Sequence, residues 1–225
     1  MKGSNRIYNK GFTPRHRAMG RFSSWAVCIL LLIYMVTTAL GLLSLESSDD
    51  PIGDPYFTLM EIFTLLIAPL MLIGMSTVHA YAALEDKMFS RIALLCMAVM
   101  AGITSCVHFT VLTLDFPVGD NSSEWQRMLF SFRWPSMVYA LDILARDWFF
   151  ALSMLFAAPV FKTGNLEKAV RMLMVISGVL SLAGLIGVPL DNMELRNIGI
   201  LGYTLVAASV FMLMGFVFNR KTNTT

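Results

Sequence analysis

Six long apolar runs, separated by short polar segments that hold nearly all the charge, leave this chain very few folds to choose from. The runs cover about residues 22–45, 57–83, 88–114, 136–161, 169–190 and 198–218. Each has the length a helix needs to cross a hydrocarbon core about 30 Å thick, roughly 20 residues at a rise of about 1.5 Å each. In hydrocarbon every backbone polar group must be satisfied within the protein, which continuous runs of this length achieve as helices. The expected fold is all-α: an integral membrane bundle of six transmembrane helices. Composition agrees, with 56% hydrophobic and only 14% charged residues, against roughly a quarter charged in an ordinary soluble domain. One bundle accounts for residues 22–218 and leaves no stretch for a soluble catalytic domain. Residues 1–21 and 219–225 read as polar tails.

The basic residues sit at the edges of the runs, so the net charge of +2 points to membrane topology and not to nucleic acid. Lys2, Arg6, Lys10, Arg15, Arg17 and Arg21 precede the first run. That run is too long for the core of a cleaved signal peptide, so it reads as an uncleaved first span. With the N-terminus inside, thirteen Lys and Arg fall on inner segments and three, Arg127, Arg133 and Arg196, on outer ones. This bias predicts that both termini are cytoplasmic. The bilayer is the one partner the composition demands, and nothing indicates a cofactor or an oligomeric state.

Polar residues inside the runs carry the functional information. The fourth run, 136–161, contains Asp142, Arg146 and Asp147 near its middle. A charge at that depth is expensive and almost always faces the bundle interior or a wet cavity. Asp142 and Arg146 are four residues apart and face one way, close enough to pair, whereas Asp147 points towards a different neighbour. Counting residues inward from the outer ends brings Glu61 of the second run, His108 of the third and Asp142 to similar depths, with Arg146 one turn deeper. The five form a candidate polar core, with Glu61, His108 and Asp142 expected to line a cavity opening outward.

Two carboxylates and an imidazole are the parts of a proton relay, an acid/base pair or a small-ligand site. They are also a nonspecific set for a metal, and no HExxH, GxSxG, phosphate-loop or CxxC pattern stands behind any catalytic or metal reading. Three functions stay open. The first is passage or binding of a small solute, proton or lipid. The second is a structural or accessory subunit in which Asp142–Arg146 is a buried pair and Glu61 and His108 are polar glue. The third is an intramembrane enzyme using Glu61 and Asp142 on a lipid-like substrate.

The remaining signals are local. Pro69 lies inside the second run and should kink its helix, and Pro135 suits the first residue of the fourth helix. His79 and Tyr81 read as interfacial anchors. Cys28, Cys96 and Cys106 and the scattered methionines read as packing residues. Ala98/Gly102 and Ala183/Gly187 have the spacing of close helix contacts. Asn121-Ser122-Ser123 is a glycosylation sequon, which matters only in a secretory pathway. A faint echo between the hairpins around Glu85 and Glu167 suggests a duplicated unit.

Four segments, His79-Ala80-Tyr81-Ala82, Trp134-Pro135-Ser136, Phe156-Ala157-Ala158-Pro159-Val160-Phe161 and Leu195-Arg196-Asn197-Ile198-Gly199-Ile200-Leu201-Gly202-Tyr203, resemble a group of uncharacterised small bacterial multi-pass membrane proteins. The resemblance implies a bacterial inner membrane and brings no activity and no site residues.

Overall fold

Capping chemistry, not the edge of the apolar run, decides where the first helix begins. In the computed structural model, which describes residues 12–47, 51–114 and 124–220, helix α1 spans Pro14–Leu43. The Thr13 hydroxyl accepts from the His16 amide at 3.3 Å and His16 Nδ1 accepts from the Thr13 amide at 3.2 Å. With Pro14 at the first helical position, the start is doubly specified. Arg15, Arg17 and Arg21 therefore ride on α1 and not on a separate tail. Arg17 donates to the Arg220 carbonyl at 2.6 Å and Arg21 to Asn219 Oδ1 at 3.0 Å, supplying donors and positive charge where the last helix runs out of partners for its carbonyls.

The other elements are α2 (Tyr56–Tyr81), α3 (Leu84–Thr113, opening with one 3₁₀ turn), the short α4 (Glu124–Phe130), α5 (Met137–Val160), α6 (Gly164–Gly187) and α7 (Met193–Asn219). All but α4 are long and apolar enough to cross a membrane, so six helices suited to a membrane bundle are present among the described residues. α2 runs unbroken through Pro69. The sequon at Asn121, most of the loop after α3, part of the acidic segment after α1 and Lys2, Arg6 and Lys10 lie outside the described residues.

Neighbouring helices close a ring in the order α1, α2, α3, α5, α6, α7 and back to α1. α5 and α7 are the most enclosed members, with 56% of an apolar 18-residue stretch of each buried against 28% for α1. They meet where each widens into a π-helical turn, α5 at Leu144–Phe150 and α7 at Gly202–Val206. Such turns insert a residue, re-aim the side chains around them and recur at functional sites. The bundle is apolar outside: Phe22, Leu43, Leu95, Phe109, Val179 and Ile186 are among many large exposed hydrophobic side chains. Its interior mixes methionines and phenylalanines (Met75, Met97, Met154, Phe150, Phe211) with wholly buried serines. Ser153 donates to the Ala93 carbonyl of α3 at 2.8 Å and Ser177 to the Gly202 carbonyl of α7 at 2.7 Å. Small hydroxylated side chains thus join helices where no hydrophobic effect drives association.

Several expectations are corrected. Pro135 is not the first helical residue; Ser136 caps α5, accepting from the Tyr139 amide at 3.2 Å, and the helix starts at Met137. Gly187 sits where a Cβ would lie 2.5 Å from the Arg196 nitrogen, so it does serve a close helix contact, whereas Gly102 has nothing within 4 Å. Only Cys28 of the three cysteines is buried, and Cys106 faces outward. α7 begins at Met193, five residues before the sixth apolar run, because Asn192 caps it by accepting from the Leu195 amide at 3.0 Å. That early start moves Arg196 from an outer loop into the bundle, where it is 3% exposed.

Candidate functional site

Near the ends of the helices opposite the α1 N-terminus, four elements deliver charged side chains to one buried cluster. Glu61 comes from the second turn of α2, His108 from the second-last turn of α3, Asp142 and Arg146 from the start of α5, and Arg196 from the first turn of α7. His108 stands at the centre, 2% exposed. Its Nδ1 is 2.6 Å from Glu61 Oε2, and its Nε2 is 2.7 Å from Arg146 Nη2 and 3.2 Å from Asp142 Oδ1. Arg146 Nε donates to the same Asp142 oxygen at 2.7 Å.

These distances define a tautomer. A guanidinium nitrogen can only donate, so Nε2, at 2.7 Å from it, presents its lone pair. The ring hydrogen is then on Nδ1 and is donated to Glu61. The longer approach of Nε2 to Asp142 Oδ1 sets two acceptors side by side and becomes a hydrogen bond only if Nε2 gains a proton.

Asp147 lies apart from this group. It is wholly buried and pairs with Arg196, Nε to Oδ2, at 3.3 Å, as a charge contact without hydrogen-bond alignment. Arg196 also reaches Asp142 Oδ2 at 4.0 Å and donates to the Tyr139 hydroxyl at 3.4 Å. The Tyr203 ring lies between the two guanidiniums, 5.3 Å from Arg146 and 5.9 Å from Arg196, close enough for cation–π attraction to both. Asp147 constrains the helix opposite: a Cβ at Gly199 would lie 2.6 Å from Asp147 Oδ1, so α7 can approach only with glycine there.

Beside the Glu61–His108–Asp142 group the described residues place aromatic rings. The Phe132 ring packs 5.6 Å from the His108 ring, between Phe57 at 6.5 Å and Tyr139 at 5.4 Å. Trp134 Nε1 donates to Asp191 Oδ1 at 2.9 Å and ties the segment before α5 to the α6–α7 turn. Open space lies on the other side of the cluster. A narrow cleft, part of it open to the surroundings, is walled by α1, α2, α3, α5 and α7 at mid-length. Its polar lining is Arg146, Tyr34, Tyr203, Thr64, Thr104 and Thr204, and its apolar lining includes Leu31, Ile67, Met71 and Phe150. Of the five sequence-predicted residues only Arg146 lines it. Arg146 Nη1 makes no hydrogen bond among the described residues, and its side chain is 13% exposed.

A second polar network closes the other end. Tyr81 donates to Glu167 Oε1 at 2.7 Å, while Glu167 Oε2 accepts from the amides of Lys162 and Thr163 at 3.0 and 2.9 Å. His79 Nδ1 is 2.9 Å from Ser90 Oγ, and Lys87 donates to the His79 carbonyl. His79 and Tyr81 therefore hold helices together and are not free interfacial anchors. Lys162 donates to Asp86 Oδ1 at 2.6 Å and Glu85 Oε1 at 3.2 Å, and the bond to Asp86 raises its pKa above the ordinary lysine value.

Arg196 is the residue the sequence reading missed as part of this core. The signal that would have found it is Asn192, three residues before Leu195, as a helix cap. Among the described residues no group of three His, Cys, Asp or Glu side chains is arranged to hold a metal ion. By fold and residue distribution the chain is a multi-pass membrane protein with a buried ionic core. No protein-family model matches it, no curated protein matches it, and no solved structure matches it. The resemblance to bacterial membrane proteins thus has no family match behind it, and what stands is the six-helix membrane architecture.

Proposed function

We propose that this chain is a six-span protein of a bacterial inner membrane, both ends cytoplasmic, whose midplane cleft holds a small solute. The carrying observation is that Arg146, held by Asp142 and His108 through Nε and Nη2, lines a cleft shared by five helices while its Nη1 makes no hydrogen bond among the described residues. A guanidinium held in place and left with an unused donor is preorganised for a ligand, and few precisely placed polar groups in an apolar lining are the usual form of such sites. Orientation and location rest on charge: thirteen Lys and Arg lie on the inner side, and with Arg196 drawn into the bundle only Arg127 and Arg133 remain outer.

A second reading has an observation of its own. Glu61, His108, Asp142 and Arg146 are mutually bonded, which is what a structural subunit with polar glue requires. The enzyme reading has none, because Glu61 and Asp142 do not line the cleft.

Thiol accessibility separates the two. In a background with Cys28, Cys96 and Cys106 replaced by alanine, Thr64→Cys should react with a small water-soluble methanethiosulfonate. Ser177→Cys, wholly buried between α6 and α7, should not. Equal inertness of both positions would leave the structural subunit and defeat the solute reading.

A further inference from the structure

We propose that the solute is a small monoanion with a short apolar body, in its simplest form a short-chain carboxylate, and that its binding on Arg146 is accompanied by proton uptake at His108. This rests on the cleft reading above and gives that site its ligand class.

The sign of the ligand follows from what lines the cleft. Arg146 is its only charged lining residue among the described residues. Each carboxylate of the polar core is engaged elsewhere: Glu61 by His108, Asp142 by Arg146 Nε, and Asp147 by Arg196. A cation would meet a guanidinium with no acid beside it. An anion would meet a charged donor plus the hydroxyl-bearing Tyr34 and Thr64. Leu31, Ile67, Met71 and Phe150 then suit a short hydrocarbon body. Two terminal guanidinium nitrogens match the two oxygens of a carboxylate, the planar recognition at which arginine excels.

The proton follows from charge balance and from one imidazole nitrogen. With His108 in the tautomer described, the core holds three acids, Glu61, Asp142 and Asp147, against Arg146 and Arg196. A second excess negative charge in this low-dielectric interior is costly. Each terminal nitrogen carries two hydrogens, so a carboxylate held end-on can leave the Nη2–Nε2 bond intact; what it offers is a replacement acceptor that frees Nη2 to leave Nε2 when that nitrogen is protonated. Nε2 already faces Asp142 Oδ1 at 3.2 Å. One proton taken from water there forms Nε2–H, donated to Asp142, while Nδ1–H stays on Glu61, so the anion enters with its charge matched. Among the described residues the charged or titratable groups around the ring are Glu61 from α2, Asp142, Arg146, Asp147 and Tyr139 from α5, Tyr34 from α1, and Arg196 and Tyr203 from α7.

The test is calorimetric titration of the full-length protein in lipid nanodiscs with butyrate, butyramide, butylamine and inorganic phosphate, in two buffers of different ionisation enthalpy. Butyrate alone should bind saturably, taking up about one proton per molecule at neutral pH and binding about tenfold tighter for each unit the pH falls. His108→Gln can keep both neighbours' hydrogen bonds and should bind butyrate with no proton uptake and a flat pH profile. Arg146→Gln should abolish binding. Should that variant fail to fold, Tyr34→Phe and Thr64→Val leave every charge in place and should each weaken butyrate severalfold. Binding of butylamine, butyramide or phosphate in place of butyrate, or butyrate binding without proton uptake in the wild type, overturns the proposal. No binding by any probe overturns it too; if Thr64→Cys still reacts in that case, the cleft reading survives alone, and if it is inert, both fall.

Discussion

Arg146 is the residue on which the polar core turns, because along one edge it satisfies both a buried carboxylate and an imidazole. Removing it strands Asp142, which is 4% exposed. Arg146→Leu is therefore expected to destabilise by about 3–5 kcal/mol, while Asp142→Leu combined with Arg146→Leu costs clearly less, because no unpaired charge is left. Unfolding in mild detergent measures both, and equal losses would break the pairing account. Gly199→Ala should cost about 1–3 kcal/mol by pressing a methyl against Asp147, and a much smaller cost of the same substitution in an Asp147→Ala background would assign the loss to that contact. The convergence of Glu61, His108, Asp142 and Arg146 was legible from sequence, because a fixed rise per residue converts position in a span into depth. The partner of Asp147 was not: Arg196 stands in a run of polar residues that reads as a turn until Asn192 is recognised as a cap. Nor was the free edge of Arg146 legible, since which side of a helix meets a neighbour and which meets open space is settled by packing.

At the scale of elements, α5 and α7 differ from the rest. Both are largely enclosed, and both carry a π-helical turn where they meet beside Arg146 and Tyr203. Their helical character followed from apolar length, but the widened turns have no composition signature in this chain. They belong to the fit between two helices that must pass each other around Asp147, Arg196 and Gly199. The opposite end of the bundle is held by short turns, of which Lys162 with Asp86 and Glu85 is the clearest. Because the pKa of Lys162 is raised on folding, its contribution is full below the ordinary lysine range and is lost as pH rises through the folded value. Lys162→Met should therefore lower stability at neutral pH, by on the order of 1 kcal/mol, because the lysine end of the pair is 36% exposed although Asp86 is buried. The gap from wild type should close in strongly alkaline buffer. A gap that persists there would assign the loss to packing of the side-chain stem.

Six apolar spans are the part of the whole molecule that was plainest in the sequence, because hydrocarbon leaves a chain of this composition one kind of solution. The direction in which the bundle sits follows from charge alone. Reporter fusions or thiol labelling should place Ser48, Ser122 and Asn192 outside and Asp86 and Gly164 inside; the reverse pattern would invert the topology and with it the side from which the cleft is reached. What the sequence concealed at this scale is where the empty space lies. Counting depth put the polar residues together and suggested a cavity lined by Glu61, His108 and Asp142, whereas the cleft between α1, α2, α3, α5 and α7 is lined by Arg146 alone of that group. The most direct measurement of the central claim is a cryo-EM map of the full-length protein in lipid nanodiscs, at a resolution that shows ordered solvent. The account predicts non-protein density within hydrogen-bond distance of Arg146 Nη1, between Tyr34, Thr64 and Tyr203. A cleft closed by those side chains, with Arg146 satisfied on both edges by protein, would contradict it.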